Sequence, residues 1–397
     1  MNVIARPPTP DGLRRRAALY ALLDEMCDHI GPTRTQFDRA RTAYEAIADW
    51  IAGSTDPLLA STMVYLHGSG GAGTTIRPIG RREFDIDLIC LLLGVSRGTD
   101  PAAVKAALGR RLREHGTYAS MLQEKKRCWR LNYAGEFHLD VSPTIANNLC
   151  PNGGELIPDK SLTAWHPTNP RGLLELFRRR ADLQPTIIER LGKTNQRADA
   201  EPFPASLTLG RVLHRIVQLL KRHRDQHFLG RDADIAPISV IITTLAMRAY
   251  ERCVTHQMFE DELAVLIETI RTMPLFIERP VIDGRRGYAV WNETTQGENF
   301  ADRWNTEPAR AWAFFEWHGK ALSDFEALRD AVGADAVRKR LEECFGEDVV
   351  AKVMDRRLES ISTARRAGTL LVAPAVGLTT EPAPAAVPVR PNTFFGD

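Results

Sequence analysis

Two aspartates one residue apart, Asp85 and Asp87 in Phe84-Asp85-Ile86-Asp87-Leu88, are the residues of this 397-residue sequence best placed to do chemistry. Side chains alternate along a β-strand, so residues i and i+2 share a face. Asp85 and Asp87 then stand side by side while Ile86 and Leu88 turn into a core. Adjacent carboxylates repel unless a cation compensates them. Mg²⁺ (or Mn²⁺) takes hard oxygen ligands, commonly one or two carboxylates plus substrate phosphates. A third carboxylate, Asp140, lies in Glu136-Phe137-His138-Leu139-Asp140-Val141-Ser142-Pro143. The same alternation turns Leu139 and Val141 inward and leaves His138, Asp140 and Ser142 on the other face. If the two strands are neighbours, three carboxylates converge and can hold two ions. One ion would activate an attacking hydroxyl and the other would steady a polyphosphate. Asp85, Asp87 and Asp140 are thus the candidate catalytic and metal-binding residues.

The elements needed to place these groups are legible nearby. Residues 61–67 are β-prone and end at Gly68-Ser69. A glycine there admits close approach of a phosphate, and a serine hydroxyl can bond a phosphate oxygen. A polar loop over 68–83 leads into a strand over 84–93. A helix is expected over 101–113, then a hairpin of 126–133 with 136–142, turning at Ala134-Gly135. Two helices, 11–30 and 34–53, precede this mixed part and are separated by Gly31-Pro32-Thr33. From 207 onward the pattern is helical. Leu209, Val212, Leu213, Ile216, Val217 and Leu220 form one stripe over 207–226. Residues 237–252 are apolar nearly all round, as in a buried helix. Further helices are expected at 259–272, 306–330, 334–345 and 347–365. The fold class is therefore α+β. The expected division is a core lobe with the N-terminal helices at 1–200, with a linker near 195–205, a helical lobe at 201–370, and a Pro/Ala-rich disordered or extended tail at 371–397.

Composition narrows the function classes. The formal net charge is +2, which suits small charged ligands better than a protein that coats nucleic acid. Stable nucleic-acid binding is not expected. Cys27, Cys90, Cys128, Cys150, Cys253 and Cys344 form no CxxC pair and no zinc spacing, as befits a reducing cytosol. The N-terminus has no apolar signal region and no run approaches the ~20 apolar residues of a membrane span. The expectation is a cytoplasmic protein without a membrane partner.

At these residues the sequence resembles the polymerase-β-type nucleotidyltransferases, and among them the bacterial cGAS/DncV-like nucleotidyltransferases (CD-NTases). The two acidic strands carry the resemblance first. Trp165-His166-Pro167-Thr168-Asn169-Pro170, Lys221 to Asp225, Pro237-Ile238-Ser239 with Thr243-Thr244-Leu245, and Glu298 to Trp304 extend it in order over roughly 35–330. The resemblance implies a bilobal polymerase-β-like fold: a small mixed sheet with helices, and a helical C-terminal lobe completing a nucleotide cleft. It implies a cyclic oligonucleotide synthase of anti-phage (CBASS) signalling. Such an enzyme joins NTPs, ATP and a second NTP, into a cyclic di- or trinucleotide and releases pyrophosphate. Lys221 would reach a triphosphate, and accessory proteins would engage the chain, through its C-terminal tail among other routes. The final residue is Asp397 rather than glycine, a departure from relatives whose C-terminus is conjugated by a ubiquitin-transfer-like enzyme.

Each residue also has a plainer reading. Lys221 would be a solvated helix end, favoured there by the helix dipole. Ser239 would be an N-cap, though the free N–H groups of a helix start also suit a triphosphate. Gly68, Ser69, Lys221 and Ser239 are the nucleotide-binding candidates. Trp165 and His67 read more simply as packing, and the Arg14–Arg16 and Arg178–Arg180 runs as solvated faces. Two other functions fit the same residues: a template-independent transferase that tails RNA or nucleotidylates a small molecule, and a nucleotide-binding pseudoenzyme that senses without turnover.

Overall fold

A computed structural model describes residues 9–80, 83–159, 161–188, 212–373, 377–380 and 386–389. The chain opens with helices α1 (Pro10–Ile30) and α2 (Arg34–Ala52). A capping box starts α2: the Thr33 hydroxyl accepts from the Gln36 amide at 3.2 Å, and the Gln36 side chain accepts from the Thr33 amide at 3.0 Å. Then come β1 (Thr62–His67), a four-residue helix α3 (Gly68–Gly71), β2 (Phe84–Leu92), α4 (Pro101–Glu114), α5 (Gly116–Met121) and β3 (Leu122–Glu124). The hairpin β4 (Trp129–Tyr133) and β5 (Phe137–Ala146) follows, then β6 (Glu155–Pro158), β7 (Trp165–Thr168) and α6 (Pro170–Ala181). Pro101 and Pro170 sit in the first turn of their helices behind the N-caps Asp100 and Asn169.

Among the described residues, seven strands form one sheet, ordered β1-β2-β5-β4-β3, with β6 on β5 and β7 on β6. The pair β2·β5 is parallel and the others antiparallel. One face is covered by α2 and α4 through Ile47, Ile51, Val104, Leu108 and Leu112, which meet Ile86, Leu88, Leu139 and Val141 in a single core. The other face is left for polar groups.

The second core is helical. It contains α7 (Val212–His227), α8 (Ser239–His256), α9 (Glu262–Thr272), α10 (Pro308–Asp330), α11 (Ala334–Phe345) and α12 (Glu347–Arg366). The first turns expected of α7 from Leu209, and the linker expected near 195–205, lie outside the described residues. Helix α1 belongs to this core: Leu19, Leu22, Leu23, Met26, Cys27 and Ile30 pack with α7 and its neighbours. So does α6, through Leu176 and Phe177. The expected division at residue 200 therefore does not follow the packing of α1, because its apolar face complements the helical core.

The expected tail also differs where it is described. Leu371–Ala373 pairs antiparallel with both Gly377–Thr379 and Val387–Pro388. A three-stranded patch thus stands where Pro and Ala content suggests an unpaired chain. Leu371, Val372, Leu378 and Val387 supply enough strand-forming side chains to pair such short segments.

Candidate active site

The register of the sheet sets the acidic groups. Asp87 lies opposite Asp140 across the parallel pair β2·β5. On the outer side of β2, Asp87 faces His67, and on the outer side of β5, Asp140 faces Arg130. His67, Asp87, Asp140 and Arg130 thus form one row across four strands. Asp85, two residues before Asp87, shares that face one step along, beside His138.

Arg130 is the counter-ion of the row. Its Nε and Nη2 donate to both oxygens of Asp140 at 2.7 and 2.8 Å, and Nη2 also reaches Asp85 at 3.0 Å. His138 is turned to Glu83 at 2.9 Å. Enclosure in the cleft pushes the Asp85 and Asp87 carboxyls above their ordinary range. The neighbouring carboxylates push the same way, against Arg130 at Asp85 and chiefly His67 at Asp87. Burial lowers the His67 pKa, which favours the neutral imidazole.

Gly68 has a more local task than the sequence suggests. Its φ is +58°, and a Cβ there would meet Asp87 Oδ2 at 2.5 Å. The missing side chain lets the Asp87 carboxylate lie against the start of α3. The stretch expected as a loop from residue 68 begins with this short helix. Ser69 follows on it, and its hydroxyl accepts from Thr75 Oγ1 at 3.3 Å.

The facing wall comes from the helical lobe. Lys221 is 3% exposed and donates to the Thr74 carbonyl at 3.2 Å and hydroxyl at 3.0 Å. Burial, with Arg224 nearby, pushes its pKa down to about 7, against Asp225 and Asp87. The plainer reading of Lys221 as a solvated helix end does not hold: the polar side of α7 is roofed by the 72–80 segment. Ser239 is the first residue of α8, behind Ile238 at the N-cap position, which makes no side-chain cap. The Ser239 hydroxyl instead accepts from Arg224 Nη1 at 3.0 Å, so the N-cap reading of Ser239 does not hold.

These groups line one cleft of about 550 Å³ between the lobes, bringing Asp85, Asp87, Asp140, Gly68, Ser69, Lys221 and Ser239 together. Glu298 closes one side, accepting from Asn292 at 2.7 Å and Thr168 at 3.0 Å. Asn299 folds the segment behind it by accepting from the Val290 and Ala301 amides, each at 2.9 Å. Trp165 lies off the cleft and donates to the Thr99 carbonyl at 2.9 Å. Of the arginine runs, Arg180 is buried and bridges Glu251 and Glu293, while Arg16 pairs with Glu260. Sequence reasoning missed Arg130 and Thr74. Arg130 was recoverable from the hairpin alone, had its loop length been known.

A second cluster offers metal-type donors. His223, Asp324 and Cys344 have ligand atoms within 4.8 Å of one another. Trp317 Nε1 donates to His223 Nδ1 at 3.1 Å, so His223 carries its proton on Nε2 and gives it to Asp324 at 3.0 Å. With both ring nitrogens engaged, the cluster is a packing network between α7 and α10.

Comparison with known proteins bears on the family and the fold. A family model described as the Second Messenger Oligonucleotide or Dinucleotide Synthetase domain (SMODS) matches residues 19–180. A c-di-GMP synthase of Roseivirga ehrenbergii is 30% identical over 386 residues, covering 96% of this chain and 98% of the relative. Among solved structures, the CD-NTase CdnG of Bradyrhizobium diazoefficiens in complex with GTP superposes with a TM-score of 0.65 at 23% identity, over 85% of this chain and 97% of that one. The CdnC:HORMA-deltaN complex of E. coli MS115-1 gives 0.56 at 13% identity, over 82% and 96%. These two share the fold.

Proposed function

We infer the reaction from the premise that this chain belongs to the CD-NTase family of second messenger nucleotidyltransferases. The chain is a cyclic oligonucleotide synthase. We propose that it joins NTPs, GTP among them, into a cyclic dinucleotide with release of pyrophosphate. The support for guanosine is the c-di-GMP synthase relative, which is 30% identical across almost the whole chain. The observation that carries the chemistry is the registered row of His67, Asp87, Asp140 and Arg130 at the base of a cleft walled by Lys221 and Ser239.

The donor set fits divalent cations. Asp85, Asp87 and Asp140 share one face, and burial, with the neighbouring carboxylates, raises the Asp85 and Asp87 carboxyls, a cost that a bound cation would offset. The family uses divalent ions in general. In this reading the three aspartates hold two Mg²⁺ or Mn²⁺ ions, which neutralise a triphosphate and make a ribose hydroxyl more acidic when bound. The protein's own groups do the rest. Arg130 ties Asp140 and Asp85 together through its guanidinium. Ser69, whose oxygen accepts from Thr75, keeps its own proton for a phosphate oxygen. Lys221 presents its charge to the polyphosphate, and the approaching anion raises its pKa and keeps it protonated. In-line attack on an α-phosphate needs this positioning more than covalent help.

The test is incubation of the full chain with Mg²⁺ or Mn²⁺ and NTP mixtures carrying one α-labelled base at a time. A phosphatase-resistant product labelled from GTP supports the reading. Linear oligomers that lose their terminal phosphates, extended RNA, or nucleotide binding with no pyrophosphate release in any condition would each overturn it. We place the activity in bacterial anti-phage (CBASS) signalling in the cytoplasm, with accessory proteins as partners, some of them through the C-terminal tail. The HORMA complex of CdnC supports such partners. Six free cysteines support a reducing compartment, and no helix among the described residues is long and apolar enough to cross a membrane. Phage challenge of cells carrying Asp85→Asn/Asp87→Asn tests this placement, and unchanged protection would sink it.

A further inference from the structure

Behind the catalytic cleft, on the far side of the 72–80 segment, lies a second cavity of about 390 Å³. Four of the elements around it bring basic groups: the end of α1 with His29, the 72–80 segment with Arg77, α7 with Arg222, and the first turns of α12 with Lys352. Arg356 adds charge from the next turn of α12 and, with Arg77 and Lys352, acts on His29. Among the described residues, no carboxylate stands within ion-pair distance of Arg77, Arg222, Lys352 or Arg356. Asp348 at the start of α12 and Glu136, which is paired with Arg39, are the acidic groups on the wall.

The cations are held by neutral groups instead. Arg77 donates to the His29 carbonyl, and its amide donates to the Ile30 carbonyl at 2.6 Å. Arg222, 6% exposed, donates to the Phe345 carbonyl at 3.0 Å and the Arg77 carbonyl at 3.4 Å. Two buried nitrogens, Arg77 Nε and His29 Nε2, have no hydrogen-bond partner among the described residues. Buried polar nitrogens left unpaired cost free energy unless a ligand satisfies them. Like charges add to this: burial, and then Arg77, hold the Arg222 pKa down against Asp225 and Asp348, and burial and the surrounding cations lower that of His29 against Asp28.

We propose that this cavity is a binding site for a small phosphate-bearing anion, gripped by Arg77, Arg222, His29 and Lys352. A phosphate offers acceptor oxygens to the unsatisfied nitrogens and cancels the like charges in one step. The site reports to the cleft through shared walls. Pro78 and Phe84 line both cavities, and Arg222 follows Lys221 on α7. Occupancy would tether the 72–80 segment, from which Thr74 holds Lys221.

Thermal unfolding of the full chain with inorganic pyrophosphate, without divalent cation, tests the site. The comparison is with NaCl at matched ionic strength. Pyrophosphate raises the wild-type midpoint by about 2 °C, the scale of a ligand well above its Kd on a chain this long. The rise persists in Lys221→Gln, which alters the cleft, and is lost in Arg77→Gln/Lys352→Gln. Lys352→Gln/Arg356→Gln, two exposed positions on α12, halves it at least and serves if the first variant does not fold. A rise matched by NaCl, one abolished by Lys221→Gln, or one retained in both cavity variants would overturn the assignment.

Discussion

Replacing Gly68 by alanine puts the geometry of the acidic row under direct test. The position has φ +58°, where an alanine costs about 1–2 kcal/mol of stability. The new Cβ would also stand 2.5 Å from Asp87 Oδ2, when ordinary contact begins at 3.4 Å, so the carboxylate must retreat by about 0.9 Å. A misplacement of that size at a reacting centre costs about 10²-fold in rate, or roughly 2.7 kcal/mol of barrier. Two readouts separate these effects. Urea unfolding should show the stability loss, and steady-state pyrophosphate release under saturating NTP and Mg²⁺ should show kcat falling about 10²-fold. A Gly68→Ala enzyme with kcat within threefold of wild type would refute the argument that Gly68 exists to seat Asp87, whatever its stability.

Asp85→Asn/Asp87→Asn should abolish product while holding or raising the unfolding midpoint in the absence of divalent ions, since it removes like charges; a calorimetric scan with and without Mg²⁺ checks both, and the Mg²⁺-dependent rise should vanish. Arg130→Gln should lower metal-free stability by about 1–2 kcal/mol, discounted for the exposure of Asp85, and divalent ion should restore most of it, as read by urea titration. Lys221, with its folded pKa near 7 below the ordinary 10.5, binds fewer protons folded than unfolded between those values, so it makes stability rise with pH across that window. Lys221→Met should flatten that slope in unfolding midpoints taken from pH 7 to 10, and should raise KM for NTP at pH 6.5.

Strand alternation was enough to place Asp85 and Asp87 on one face, because a period of two needs no tertiary context. The register was not legible. Asp87 meets Asp140 across a parallel pair, which no local turn specifies. The hairpin shows how narrow the margin is. A two-residue turn at Ala134-Gly135 would set Trp129 against Asp140, whereas the chain uses three loop residues, with Gly135 at φ +77°, and Tyr133 pairs with Phe137. That one residue turns Arg130 toward the acidic row. The plainer reading of Lys221 as a solvated helix end fails for a different reason. The amphipathic stripe of α7 implied a wet opposite face, but Arg215 there is paired with Asp24 and Asp28 of α1, and Lys221 is covered by Thr74. Periodicity registers which side is apolar, and long-range partners decide whether the other side meets water.

Helix α1 carries a consequence for synthesis of the chain. Its apolar face packs into a core built largely from residues after 211, and Glu25 is fastened to Arg357, 332 positions later. At roughly 5–20 residues per second, a nascent α1 waits on the order of tens of seconds for that partner. During that interval Leu19, Leu22, Leu23 and Met26 are a chaperone's ligand rather than a core. The sheet and its three aspartates are complete long before, but the wall that holds Lys221 is not. Until α7 and α8 emerge, a growing chain therefore carries carboxylates without the cleft wall of Lys221 and Ser239.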